Sequence, residues 1–499
     1  MVQSSTIHNP GAEAPPVDVA KVAGRGAIYI TLAKLWFMVS GYGIYFALPR
    51  LMSKEEFGLY QIVTTGMVSI INAVIVTGTY QTVSKFISQE EDKANAIKSK
   101  ALRLQTLVGG SITLVFFLLA PVIASFLNDA RLTNYFRLAS LITLAYSFYS
   151  VFTGYFNGKR KFLTQAALDA TYSTLKLIFI VALAWLGYGV AGAVGGFALA
   201  SAAVLLISAA VAGKGSEAVE IQVSRLFRFQ AFLLLFTLVL NLLQKVDLIL
   251  IKALSSPDAR LASENAGDYG AAINVANITY QVIISVTFVI FPLVSQATFA
   301  GDRARTQSYI SNTLRYTLMI MALTATLFSA NASAVLRVIY PDEYQAGSRA
   351  LSVVAFGMLF FGLLYVITTI ISASGRPIVS LIIGTVTLAT SVVLNAVLIP
   401  SLGLVGAAIG TTSAMFAGAF SGAAYLFLKF GPPMPALSLA RIALSSGLVY
   451  AASVVVKPTS KLAIVVQLAV LFLIYLGALL ITREIGSDDL KTVRKVFER

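Results

Sequence analysis

Runs of apolar residues recur along this chain almost without interruption, and they leave it few ways to fold. A membrane-spanning helix needs about 20 mostly apolar residues, and roughly 14 such runs follow one another from 27–48 to 461–482 with short polar joins between them. Only 12% of the 499 residues are charged, against roughly 25% in a soluble domain, and the mean hydropathy is +0.82. The expectation is an all-α polytopic membrane protein with no soluble domain of any size.

The formal net charge is +15. The basic residues are scattered over many loops rather than massed in a groove, so the membrane explains them better than nucleic acid does. With the N-terminus in the cytoplasm, Lys21, Arg25, "SKFISQEEDKANAIKSKALR", "GKRK", "RLFRF", "DRAR", Arg376, Lys429, Arg441 and "LKTVRKVFER" share one side. The positive-inside rule then makes both termini cytoplasmic. Residues 1–26 read as a disordered tail without a cleavable signal, and 484–499 as a second tail. The "SKFISQEEDKANAIKSKALRLQ" stretch can continue as an amphipathic helix. There is no cysteine, and the one histidine, His8, lies in the first tail. Thiol, histidine and metal catalysis are therefore not expected, and no cofactor is implied.

Internal duplication is visible in three places. Gly58 in "EEFGLY" and Gly270 in "GDYGAA" lie 212 residues apart, Gly158 and Gly375 in two short basic loops 217, and Gly192 and Gly406 in "GVAGAVGG" and "GLVGAAIG" 214. The near-constant offset predicts two parallel six-helix repeats related by an axis along the membrane normal. They fill 27–212 and 229–430, joined by a cytoplasmic linker at 213–228. Residues 431–483 hold two extra C-terminal helices.

Polar residues inside these runs are the candidates for function, because a charge near the bilayer centre costs about 2.5 to 3.5 kcal/mol even on a lenient scale. Lys34 interrupts "ITLAKLWFMVSGYGIYFALP", Lys176 lies in 164–187 and Lys245 in 229–253. Gln165, Asp169, Tyr172 and Lys176 share one helix face, as do Asn274, Asn277 and Gln281, and as do Thr65, Ser69 and Asn72. Asn241 and Lys245 share another face, and Asp247 points away from them toward a neighbouring helix. Three lysines against two carboxylates leave the interior net positive. Either a lysine snorkels to an interface or the interior binds an anion. Interhelical hydrogen bonds are the plainer role for any single amide, and charge compensation for Asp169 and Asp247. Asp247 is also the carboxylate that can couple a proton or sodium gradient.

"ALPRLMSKEEFGLYQIV", the basic turn "GYFNGKRKF", "KVDLILI" and "LVGAAIGTTSA" together resemble the Wzx-type polysaccharide-biosynthesis flippases of the multidrug/oligosaccharidyl-lipid/polysaccharide exporter superfamily, over nearly the whole chain. The resemblance implies a V-shaped pair of lobes around a central cavity in the cell inner membrane. It also implies alternating access that carries a polyprenyl-pyrophosphate-linked oligosaccharide from the cytoplasmic to the outer leaflet, for surface polysaccharide made with a polymerase machinery. Lys34, Lys176 and Lys245 then suit the pyrophosphate, and Asn72, Gln165, Asp169, Tyr172, Asn241, Asn274, Asn277 and Gln281 the sugars, with the lipid tails left to the bilayer. Lipid II flipping and cation-coupled drug export are the rivals within the superfamily, though the basic interior disfavours a cationic cargo. A membrane enzyme is disfavoured because the longest outer loop, "SSPDARLASENAGD", is short.

Overall fold

The structure is a computed structural model that describes residues 17–213, 223–281, 283–456, 458, 460–486 and 489. The first tail up to residue 16, His8 included, most of the 213–228 linker and the end of the second tail lie outside the described residues. Helix α1 spans Val17–Leu51, so ten residues read as tail are helical, directly after a proline pair that a helix interior would not accept. Helix α2 (Lys54–Tyr60) runs through a π-helical stretch, Gln61–Val68, into α3 (Ser69–Gln89). Then follow α4 (Ala94–Phe126), α5 (Leu132–Gly158), α6 (Phe162–Leu183) and α7 (Gly189–Ala212). The second half holds α8 (Val223–Leu254), α9 (Ala259–Gln281), α10 (Ile284–Phe299), α11 (Arg303–Ala330), α12 (Ala332–Ile339), α13 (Ser348–Ala373) and α14 (Pro377–Phe430). Helices α15 (Ala436–Val455) and α16 (Lys461–Ile481) complete the chain. Among the described residues nine helices are long and apolar enough to cross a membrane.

Two further sequence expectations change. The stretch read as an outer loop is helical from Ala259, because the Asp258 carboxylate caps it, accepting from the backbone N–H groups of Arg260 at 2.7 Å and Leu261 at 3.2 Å. The apolar run over 269–296, one of the roughly 14, is divided between two helices, α9 and α10. The stretch after α3 does continue as a helix, opening α4.

Helix α6 packs against α1 and α7, α5 against α3, α4 and α7, and α13 against α9, α11 and α14. The two halves of the chain meet where α3 lies along α8 and α2 crosses α9. That crossing needs glycine. A Cβ on Gly58 would sit 1.8 Å from the Ser263 carbonyl oxygen, and one on Gly267 would sit 2.8 Å from that of Lys54. The repeated "EEFGLY" and "GDYGAA" segments thus press directly on each other, helix backbone to helix backbone.

The glycines before α7 and within α14 are alike as well. Gly189 has φ 51° and ψ −136°, and Gly403, 214 residues later, has φ 56° and ψ −132°. Both reverse the chain in a conformation that a side chain would oppose. Polar contacts between the halves cluster at the end of the bundle that holds Lys54, the 127–131 turn and the start of α9, here called the distal end. The proximal end holds the start of α1 and the end of α16.

Candidate functional site

In the first half, α1, α5 and α6 gather most of the expected polar residues. Lys34 is exposed on α1 in the isolated chain and interacts by charge with Asp169 on α6. Asp169 accepts a hydrogen bond from the Tyr149 hydroxyl on α5 at 2.7 Å. Tyr149, Tyr146 and Tyr172 stack around it, with ring centroids 5.1 to 5.9 Å apart. Gln165, one turn below, accepts from Asn157 at 2.9 Å. Helices α1 and α6 are tied at this level by Trp36, whose indole donates to Thr174 at 2.9 Å.

Lys176 lies two turns beyond Asp169 on the same helix. Its ammonium sits 4.3 Å from the Phe197 ring centroid and 5.7 Å from that of Phe37. Among the described residues it makes no hydrogen bond or ion pair. Aromatic faces attract a cation through their quadrupole, but they do not replace the water or carboxylate that an ammonium ordinarily finds.

In the second half, Lys245 on α8 is 8% exposed and has no hydrogen bond, ion pair or ring contact among the described residues. Asp247, two residues on, is fully buried and turned toward α9, as the spacing predicts. There it accepts from the Tyr269 hydroxyl at 2.7 Å and from the Leu248 N–H at 2.8 Å, and the Thr411 hydroxyl lies within its reach. Asn395 donates to Thr411 at 3.1 Å, while its own side-chain oxygen is buried without a partner among the described residues.

The remaining amides divide. Asn274 is buried, accepts through its backbone from Tyr42 of α1 at 3.3 Å and donates to Tyr340 at 3.4 Å. The side-chain oxygens of Asn72 and Asn277 are buried with no partner among the described residues. Asn241 turns back onto its own helix at Thr237. Gln281 is exposed at the end of α9. The candidates do not form one cluster. Each half instead holds an aspartate, half-buried at Asp169 and fully buried at Asp247, that is bonded by a tyrosine hydroxyl and has a lysine within electrostatic range. Sequence reading missed Tyr149, Tyr269, Thr411 and Asn395, because nothing in a single chain distinguishes a tyrosine that serves a carboxylate on another helix from one in an interfacial belt. The arrangement supplies cations and unfilled amide acceptors inside an apolar bundle, which suits an anionic, hydroxyl-rich cargo.

A family model described as "Polysaccharide biosynthesis protein" matches residues 23–298. An uncharacterized membrane protein of Methanocaldococcus jannaschii is 26% identical over 150 residues, 30% of this chain and 30% of that protein. A probable low-salt glycan biosynthesis flippase of Haloferax volcanii is 24% identical over 151 residues, 30% of this chain and 32% of its own length. The match thus spans less than a third of either curated relative. Among solved structures, a lipid II flippase in an inward closed conformation is similar with a TM-score of 0.75 at 15% identity, covering 92% of this chain and 99% of that one. An inward-facing multidrug resistance transporter of the MATE family is similar with a TM-score of 0.64 at 14% identity, covering 79% of this chain and 94% of that one. These likenesses establish the exporter fold.

Proposed function

We propose, from the premise that this chain belongs to the polysaccharide biosynthesis protein family, that it flips a polyprenyl-pyrophosphate-linked glycan from the cytoplasmic to the outer leaflet of the inner membrane. It is a transporter rather than an enzyme, and alternating access between two six-helix lobes is its mechanism. The first lobe comprises α1 to α7 and the second α8 to α14. The like-shaped glycine turns at 189 and 403 and the crossing of the two repeated segments support that division.

The observation that carries the proposal is Lys245. A buried ammonium without a partner is strongly unfavourable, and intramembrane charges that persist mark a substrate or ion path. The Tyr269-bound Asp247 does not neutralise it through a direct ion pair. An anion does, and a pyrophosphate entering between the lobes would restore the solvation that Lys245 and Lys176 lack. The orphan oxygens of Asn72 and Asn277 suit sugar hydroxyls, which can donate to them. Asp247 is our candidate for coupling to a proton or sodium gradient, because it is the buried carboxylate nearest to that lysine along the chain.

The decisive experiment deletes the gene and identifies by mass spectrometry the polyprenyl-linked glycans that build up in the membrane. Accumulation of one polyprenyl-pyrophosphate oligosaccharide with loss of the matching surface polymer supports the reading and names the cargo. Accumulation of lipid II would instead assign the protein to peptidoglycan. No accumulation together with new sensitivity to cationic toxins would make it a drug exporter and leave Lys245 unexplained.

A further inference from the structure

The most heavily buried cation described in this chain is not one of the candidate lysines. Lys252, at the distal end of α8, is fully enclosed, and all three of its N–H donors are used. They go to Asp129 at 2.9 Å, to the Ala259 carbonyl at 2.8 Å and to the Ser263 hydroxyl at 2.7 Å. Asp129 belongs to the turn between α4 and α5, in the other lobe, and its side chain is 2% exposed. Its carboxylate also receives a two-pronged bond from Arg131, both arms at 2.9 Å. Arg131 reaches on to Glu55 of α2 at 2.7 Å, and Glu55 lies 3.9 Å from Arg260 of α9. A second pair, Lys54 with Asp268 at 3.2 Å, joins α2 to α9 beside it. Asn128 adds a bond to the Ala253 carbonyl at 3.2 Å. A continuous chain of charges therefore crosses the seam between the lobes at their distal ends and nowhere enters the candidate cargo site.

A permanent seam has no need of such groups. A buried ion pair is roughly neutral in stability, or worse, compared with apolar side chains of the same volume. Its distinguishing property is what happens on separation, since both ions regain water, whereas parted apolar faces do not. An interface built on charges can hold tightly when closed and still come apart. Beside these pairs α2 crosses α9 backbone to backbone at Gly58 and Gly267.

We propose that the Lys252–Asp129 pair and its Arg131–Glu55 and Lys54–Asp268 neighbours form a releasable latch that keeps the lobes shut toward the outer leaflet and parts when the cargo leaves. This rests on the alternating-access reading but not on the identity of the cargo. The latch makes the outward-closed form the resting state. Removing Asp129 leaves Lys252 a buried ammonium with no carboxylate, and removing Lys252 leaves Asp129 tied only to Arg131 of its own lobe, so either change breaks the tie across the seam and opens the distal end, whereas replacing both with apolar side chains holds it closed.

The full chain contains no cysteine, so spin labels can be placed at Asn134→Cys on the first lobe and Leu261→Cys on the second, both exposed at the distal end. Distances are then measured by pulsed electron resonance after reconstitution in liposomes. The parent gives a short distance. Lys252→Met and Asp129→Asn each raise the long-distance population by about tenfold or more, while the double variant Asp129→Leu with Lys252→Met returns to the short distance. Unchanged distributions in both single variants overturn the latch, as does a double variant as open as the singles. Cross-linking the two cysteines with a bismaleimide separates this failure from that of the broader reading. Turnover that stops on cross-linking, with single variants unchanged, keeps alternating access and removes the latch. Turnover that continues removes alternating access itself.

Discussion

An ammonium enclosed among apolar helices destabilises the fold that contains it, and Lys245 does so with no hydrogen bond or ion pair among the described residues and only the more distant charge of Asp247 to offset the cost. Lys245→Met is therefore expected to raise the apparent melting temperature in detergent by a few degrees while lowering flipping by about tenfold or more, an opposition typical of residues kept for function. Lys245→Arg retains part of the activity. A Met variant that melts lower and flips normally would make the lysine structural. Asp129 behaves in the opposite way. Burial pushes its carboxyl up, but the hydrogen bonds and charges of Arg131 and Lys252 outweigh that and hold it below the ordinary aspartate value of 3.8. A carboxyl with a depressed folded value stabilises fully above the unfolded value and loses that contribution only as pH falls through the folded one. The Lys252–Asp129 pair should consequently survive from pH 7 down to pH 5. Distal labels that part within that range would place the release in Asp268, the second carboxylate of the latch, which burial pushes up to about 6. The two lysines on α8 also mark the limit of what one sequence tells. Lys245 is legible because a charge in an apolar run is improbable without a function. Lys252 stands near the end of the same run, where snorkelling is the ordinary reading, and its meaning lies in a carboxylate 123 residues away.

Helix α2 and the start of α9 show how small residues decide the contact between elements. Adding a single methyl at Gly58 places a carbon 1.8 Å from the Ser263 carbonyl oxygen. That neighbour is backbone rather than a flexible side chain, so one helix must move. Overpacking of this kind costs about 1 to 3 kcal/mol. Gly58→Ala is expected to lower the melting temperature and to lengthen the distal distance, whereas Gly41→Ala, whose new carbon meets nothing within 4 Å, should change neither. Equal behaviour of the two variants would show that the crossing tolerates more room than its geometry allows. The sequence marked Gly58 and Gly270 as repeated, which was enough to find the segments but not to learn that they touch each other. Helix ends were less legible for a local reason. Hydropathy locates the part of a helix that lies in lipid, and capping decides where the helix begins. Asp258 before α9 and Asp302 before α11, which accepts from the Arg305 N–H at 2.9 Å, extend both helices beyond their apolar cores.

The path of the whole chain is constrained most by α14. Its 54 residues would make a straight rod of about 81 Å at 1.5 Å per residue, close to twice the roughly 40 to 45 Å of a bilayer with its headgroups. The backbone reverses at Gly403 instead, and α6 and α7 reverse at Gly187 and Gly189 in the same manner. Counting each of those long segments twice, and adding α5, α8 and the α9–α10 pair to the apolar spans, makes the number of crossings even. Both termini then lie on one side, which the positive-inside rule predicts to be the cytoplasm. Single cysteines at Ser4 and Ser487 should accordingly resist a membrane-impermeant maleimide in intact cells and react after the membrane is opened, while a cysteine at Asn134 reacts from outside at once. Labelling of Ser487→Cys but not Ser4→Cys in intact cells would mean an odd number of crossings. One of the segments counted as a crossing would then not span the membrane. Labelling of both would invert the whole protein. The latch would then face the cytoplasm, and its release would admit cargo rather than discharge it.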